Sequence, residues 1–133
     1  MKKILVAYDG GEPAMHALET AAELANLTAA TIAVVSVVPV HPGRAPIDPW
    51  DDVSVHAQEL LEARDFLRGK GLEAELIEPS GEPAATIERI ADEGSFDTVV
   101  IGSRGLNVMG RMLQGSVSEH VVTHSKATVV VAR

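Results

Sequence analysis

The stretch TVVIGSRG, residues 98–105, decides the fold of this chain. A run of apolar and β-branched residues leads directly into Gly102 and Gly105, and after nine further residues come Gly115 and Ser116. The segment beyond has the pattern of a helix. A strand, a glycine-rich loop and a helix start together form a cradle for an anion, because glycine permits close backbone approach and the first N–H groups of a helix point at negative charge. We therefore expect a nucleotide or another phosphate ester as ligand.

Strand-like and helix-like segments alternate along the whole chain. Apolar runs without polar alternation predict buried strands, and a helical period predicts amphipathic helices. The predicted strands cover residues 4–8, 31–38, 72–78, 98–101 and 127–132. Four helices are predicted. The first starts at Pro13, the second covers residues 51–70, the third starts at residues 81–83 and the fourth covers residues 116–125. In the second helix the predicted inward residues are Ala57, Leu60, Leu61, Arg64 and Leu67.

This order of elements predicts one flavodoxin-like (Rossmann-like) α/β domain over residues 1–133. Strands that alternate with helices form a parallel sheet with helices on both faces. With the five predicted strands numbered along the chain, the favoured sheet order is 3-2-1-4-5. Ligands of such sheets bind at the carboxyl ends of the strands where the winding reverses, which here is between strands 1 and 4. Asp9 and Gly102 end these two strands and are expected to face each other.

The composition excludes several classes of function. The chain has 133 residues, 46% of them hydrophobic, which is enough for a core without disulfides or metals. A formal net charge of −8 argues against a nucleic-acid-binding surface. The absence of cysteine removes disulfide, thiolate-zinc and thiol-nucleophile chemistry. No apolar run approaches the ~20 residues of a membrane span, and the apolar segment after Lys3 is too short for a signal peptide. We expect a cytoplasmic protein.

The spacing of the glycines resembles a known family. Neither the P-loop pattern nor the dinucleotide-binding pattern is present. The pattern G-2x-G-9x-G-[ST], formed by Gly102, Gly105, Gly115 and Ser116, is similar to that of the ATP-binding branch of the universal stress protein family. The opening residues 4–10 (ILVAYDG) and the stretch 97–105 also resemble that family, so the resemblance covers the whole chain.

The resemblance implies an ATP site in the crevice between strands 1 and 4. It implies that the four residues of the glycine pattern contact ribose and phosphates, and that Val117 and Ser118 add contacts at the helix start. Asp9 would face the ribose or a Mg²⁺ ion bound through the phosphates. Val37 or Val38 would pair with adenine through its backbone, and Ala7 would pack near the base. Arg104 and Arg111 flank the cradle and are candidate phosphate contacts.

Several of these residues also have purely structural interpretations. Ser116 and Glu119 match a capping box, so Ser116 is a candidate helix cap. Asp9 can bond to its own backbone two residues on, as Asx turns do. His120 and His124 are spaced i, i+4 as metal ligands can be, but without a third ligand nearby in the sequence we interpret them as histidines interacting with a helix dipole. Trp50 ends a proline-rich loop over residues 39–50. This side chain either anchors the loop on the body of the domain or covers the crevice.

The last strand predicts a partner. Its segment over residues 128–131 (TVVV) forms an apolar sheet edge, and such edges invite pairing. The family resemblance also implies a two-fold homodimer through this strand.

Three functions therefore remain open. The first is an ATP-binding regulatory protein with slow or absent hydrolysis. The second is a weak Mg²⁺-dependent ATPase or phosphotransfer enzyme in which Asp9 holds the metal. The third is a nucleotide-free dimeric module that binds a protein partner. No catalytic residue set is evident, and a flavin is disfavoured because no aromatic residues flank the crevice.

Overall fold

The computed structural model describes residues 1–39, 53–103 and 115–133 of the chain. These residues form four helices and seven strands, of which two are only two residues long. In chain order the elements are β1 (Lys3–Ala7), α1 (Glu12–Thr28), β2 (Thr31–Val35), β3 (Val38–Pro39), α2 (Val53–Gly69), β4 (Ala74–Ile77), β5 (Ser80–Gly81), α3 (Pro83–Glu93), β6 (Thr98–Gly102), α4 (Gly115–His124) and β7 (Thr128–Ala132).

Five strands form one parallel sheet in the order β4-β2-β1-β6-β7. The five predicted strands correspond to β1, β2, β4, β6 and β7, so the predicted order 3-2-1-4-5 is confirmed. The central strand β1 pairs with β2 on one side and with β6 on the other. The winding therefore reverses between β1 and β6, where the sequence places it.

The two faces of the sheet are covered by different helices. Alternate residues of β1 point to opposite faces, as they must in a strand. Ile4 and Val6 pack with α1 and α2 in one hydrophobic cluster. Leu5 and Ala7 pack with α3 and α4 in a second cluster. Both layers are mainly aliphatic, as the low aromatic content predicts, with Tyr8 in the first cluster and Phe96 in the second.

The structure corrects the predicted end of the second strand. The apolar run over residues 31–38 reads as one strand, but β2 ends at Val35. The chain then continues with Ser36 N–H bonded to Ile77 C=O at 3.0 Å, and Val38 N–H bonded to Pro79 C=O at 2.8 Å. Val38 belongs to β3, which pairs with β5 in a separate two-stranded sheet. Val37 and Val38 therefore lie just beyond the second strand rather than at its end.

The buried face of α2 differs from the predicted one. Leu60 and Leu67 are buried as expected, whereas Leu61 is exposed. Ala57 and Arg64 are only half-buried. The fully buried positions of this helix include two polar residues and are His56, Glu59, Leu60, Ala63 and Leu67.

In the part of the chain that the structure describes, every helix is too short or too polar to traverse a lipid bilayer.

Candidate functional site

The crevice between β1 and β6 brings Asp9 and Gly102 to the same edge of the sheet. Ile4, Leu5 and Val6 pair in register with Thr98, Val99 and Val100. Asp9 follows the carboxyl end of β1 by two residues, and Gly102 is the last residue of β6. The predicted juxtaposition of the two strand ends is therefore observed.

Asp9 is a buried carboxylate held by the turn that it begins. Its side chain is only 6% exposed, and Oδ1 accepts a hydrogen bond from Gly11 N–H at 2.9 Å. Gly10 between them has φ +82°, a left-handed conformation that glycine adopts without strain. The Asx interpretation of Asp9 is thus confirmed. The bond holds the Asp9 carboxylate at the carboxyl end of β1.

Gly102 is the point where the backbone of β6 comes closest to α1. A Cβ atom at this position would lie 2.6 Å from the Pro13 carbonyl oxygen and 2.7 Å from its carbonyl carbon. Only a residue without a side chain allows the strand end to sit against the first turn of α1. The next residue, Ser103, donates its N–H to the Ala132 carbonyl at 2.8 Å. The sheet therefore holds the first two residues of the glycine-rich segment in place.

A buried polar corner, formed by Ser36, His56 and Glu59, adjoins this edge of the sheet. His56 Nδ1 lies 2.7 Å from Ser36 Oγ and 3.4 Å from Glu59 Oε1. The other carboxylate oxygen of Glu59 lies against Gly10, where an added Cβ would come within 2.5 Å of it. The corner thus links α2 to the turn that carries Asp9. Sequence analysis missed it, and the only signal was two polar residues, spaced i, i+3, on an otherwise apolar helix face.

Apolar candidates from three elements converge on one hydrophobic cluster. Ala7 ends β1, Val37 follows β2 and Val117 lies in α4, and all three are buried in the cluster that α3 and α4 cover. Val38 N–H already donates to Pro79 C=O. Because successive hydrogen-bonding groups of an extended chain point to opposite sides, we expect the backbone groups of Val37 to point away from Pro79. Of the two valines, Val37 is therefore the better candidate for pairing with a base.

The remaining predicted residues are placed only in part. Arg104, Gly105 and Arg111 lie outside the described residues, as does Trp50 with most of its loop. Helix α4 begins at Gly115, which follows the glycine-rich segment as predicted. Ser116 is the second residue of α4, and the residues before the helix lie outside the described part of the chain, so the capping-box interpretation stays a prediction. The side chains of Ser116 and Ser118 are outside the description.

The donor set at the crevice suits a nucleotide bound with a divalent cation. Asp9 offers an oriented carboxylate. Proteins commonly bind Mg²⁺ through one or two carboxylates while the phosphates of the substrate bind the same ion. The first turn of α4 supplies N–H groups that have no partner within the helix. Ala7, Val37 and Val117 are buried in the hydrophobic cluster on the α3 and α4 side of the sheet.

These features define a flavodoxin-like α/β protein with Asp9 and Gly102 at the switch point of its sheet, the place where sheets of this kind bind ligands. The sequence profile of the universal stress protein family matches residues 1–133, and the chain therefore belongs to that family. It is 32% identical to the universal stress protein YxiE of Bacillus subtilis over 149 aligned positions, which cover 98% of each chain.

Solved structures agree with this assignment. The universal stress protein UspA from Lactobacillus plantarum superimposes with a TM-score of 0.82 at 27% identity, covering 99% of this chain and 97% of the other. A universal stress protein from Archaeoglobus fulgidus, solved in complex with dAMP, superimposes with a TM-score of 0.75 at 26% identity, covering 100% and 98% of the two chains.

Proposed function

We propose that this protein is an adenine-nucleotide-binding regulatory protein of the stress response, which binds ATP with Mg²⁺ in the crevice between β1 and β6. The observation that carries the proposal is that Asp9 and Gly102 lie at the same edge of the sheet, at the switch point between β1 and β6. The dAMP complex of the relative from Archaeoglobus fulgidus supports an adenine nucleotide as the ligand.

In the proposed complex each group has one task. The glycine-rich segment and the first turn of α4, with Gly102, Gly105, Gly115 and Ser116, hold the ribose and the phosphates. Asp9 binds the cation or a ribose hydroxyl. Val37 pairs with the adenine through its backbone, and Ala7 packs near the base.

We further propose that binding and release of the nucleotide change the partners of the protein and that hydrolysis is slow or absent. Phosphoryl transfer needs charge neutralisation and an oriented nucleophile. The described residues supply a carboxylate and backbone donors for holding phosphates. His56 lies 2.7 Å from the Ser36 hydroxyl, but both residues are buried, at 4% and 0% exposure. We propose that the protein acts in the cytoplasm as a homodimer.

The test is calorimetric titration of the nucleotide-free protein with ATP and Mg²⁺, followed by ADP, AMP, dAMP, cyclic AMP and GTP as comparison ligands. We expect saturable binding of adenine nucleotides, weak binding of GTP, and loss of binding in Gly115→Val. Gly69→Ala is the matched control, because Gly69 ends α2 with open space around its Cβ position. Absence of binding to every nucleotide would overturn the proposal and leave the dimeric protein-binding module.

Hydrolysis is measured on the same samples. Binding without phosphate release supports the regulatory role. Mg²⁺-dependent phosphate release that Asp9→Ala abolishes would instead make the protein a slow ATPase, with Asp9 as the residue that holds the metal.

A further inference from the structure

Glu88, His120 and His124 form a cluster on the outer surface of the layer made by α3 and α4. His120 and His124 lie one turn apart on α4, and Glu88 lies on the neighbouring helix α3. One candidate ligand atom from each of the three side chains falls within 4.8 Å of the other two. The third group that the spacing of the histidines lacks in the sequence is thus supplied by a residue more than thirty positions earlier.

The two rings are already ordered by their surroundings. Their centroids lie 4.1 Å apart with an interplanar angle of 24°, so the rings stack. His120 Nδ1 lies 2.6 Å from Glu88 Oε2, and His124 Nδ1 lies 2.9 Å from the His120 carbonyl oxygen. Each ring is therefore fixed by stacking and by one hydrogen bond.

These hydrogen bonds determine which nitrogen can bind a metal. A carbonyl oxygen only accepts hydrogen bonds, so His124 must carry its proton on Nδ1. An ionised carboxylate also only accepts, so His120 donates through Nδ1 to Glu88. In the neutral rings both Nε2 atoms then carry a lone pair. Histidines that bind metals commonly have this arrangement, with the second nitrogen donating to a carboxylate or to a backbone carbonyl.

We propose that His120 and His124 bind a late first-row divalent metal ion of the zinc class through Nε2, with Glu88 holding His120 in place. Imidazole nitrogens suit Zn²⁺, Cu²⁺ and Ni²⁺. Two nitrogens on a tetrahedral zinc ion, each at ~2.0–2.1 Å, lie about 3.3 Å apart. Because the rings are nearly parallel, with centroids 4.1 Å apart, they must turn out of the stack for both Nε2 lone pairs to point at one ion. Water completes the coordination, because both histidines are exposed.

This metal site is separate from the proposed nucleotide site. His124 is the last residue of α4, whereas the nucleotide is proposed to lie at the first turn of that helix. Glu88 lies on a different helix, α3. At ~1.5 Å per residue, His120 and His124 lie roughly 6 Å and roughly 12 Å along the helix axis from Ser116, the last residue of α4 that is proposed to hold the phosphates. The two proposals can therefore fail independently.

The test is a titration of tag-free, nucleotide-free, metal-free protein with Zn²⁺ by calorimetry and with Co²⁺ by visible absorption, whose d–d bands report the ligand set. We expect one metal ion per chain. His120→Ala and His124→Ala should each weaken binding at least tenfold and change the Co²⁺ spectrum. Glu88→Gln should weaken binding by about 10- to 100-fold, as loss of an orienting carboxylate does.

Matched controls separate this site from others in the protein. His16→Ala removes a histidine of α1, and Glu93→Gln removes an exposed carboxylate of α3, and both should bind Zn²⁺ like the unaltered protein. Melting of the metal-free variants verifies folding, and His124→Gln serves if the alanine variant is unstable. The proposal would be overturned if the protein bound no metal, or if His120→Ala and His124→Ala bound it as tightly as the unaltered protein. Either result would count whatever the outcome with ATP.

Discussion

Glu59 shows how a polar residue can be part of the buried surface of a helix. Its carboxylate is buried, lies 3.4 Å from His56 Nδ1 and packs against Gly10 beside Asp9. A buried polar group needs such partners, because its transfer from water into the protein is costly. The corner therefore holds the Asp9 turn against α2 by polar contacts rather than by hydrophobic packing alone.

Glu59→Ala is expected to lower the free energy of unfolding by about 1–3 kcal/mol, because it leaves buried polar groups of the corner without their partner. Glu62→Ala, at an exposed position one turn further along α2, should change it by less than about 0.5 kcal/mol. Urea denaturation followed by circular dichroism measures both. Equal stability of the two variants would contradict a structural role for the corner.

Gly102 is required by packing as well as by any ligand. We expect Gly102→Ala to lower the free energy of unfolding by about 1–3 kcal/mol, because the new methyl group would meet the Pro13 backbone, which cannot move away as a flexible side chain could. Gly69→Ala should instead be neutral or stabilising by up to about 1 kcal/mol. The same urea experiment compares them, and a fully stable Gly102→Ala would show that β6 and α1 can separate without cost.

At the scale of elements, the amino ends of β1 and β6 are joined by Asp97. Its carboxylate accepts hydrogen bonds from Lys2 N–H at 2.8 Å, from Lys3 N–H at 3.2 Å and from Thr98 Oγ1 at 2.8 Å. These bonds lower the pKa of Asp97 below its ordinary value of 3.8, and the bond from Thr98 makes the largest contribution. The ionised form is therefore favoured in the folded protein.

The stabilisation from Asp97 should be fully present above the unfolded pKa and be lost as the pH falls through the folded pKa. Asp97→Asn should consequently be less stable than the unaltered protein by a constant amount above about pH 5, and the difference should shrink below about pH 4. Urea midpoints from acidic to neutral pH measure it. A difference that stays the same throughout this range would show that the charge of Asp97 makes no contribution.

The elements that sequence patterns predicted least well depend on contacts with other elements. Ser36 is the one polar residue between Ile32 and Val38, too weak a signal to end a strand, and pairing with residues 77 and 79 is what divides the stretch into β2 and β3. On α2, a search for apolar periodicity selected Leu61 and passed over His56 and Glu59, because burial there depends on polar partners from other elements. The strand order and the positions of Asp9 and Gly102 were predictable, since crossover rules and turn residues are local or topological. Glu88 could not be paired with His120 from sequence, because their contact depends on how α3 packs on α4.

At the scale of the whole molecule, the sheet ends on one side at β7, whose outer edge has no neighbouring strand in the described chain. Val131 on this strand is 41% exposed and Val122 on the adjacent helix α4 is 50% exposed. An apolar strand at a sheet edge is a template for pairing with a second chain. The proposed homodimer would cover both the edge and these side chains.

Val131→Lys is therefore expected to convert a dimer into a monomer, because a charge on the edge strand opposes pairing. Leu27→Lys is the matched control, since Leu27 is 83% exposed at the end of α1, and it should stay dimeric. Light scattering should give close to twice the 14.0 kDa of one chain for the unaltered protein and for the control.

Because each chain carries a net charge of −8, added salt should strengthen the dimer by screening the repulsion between chains. A monomeric unaltered protein at every salt concentration, or a dimer that persists in Val131→Lys, would show that β7 is not the interface.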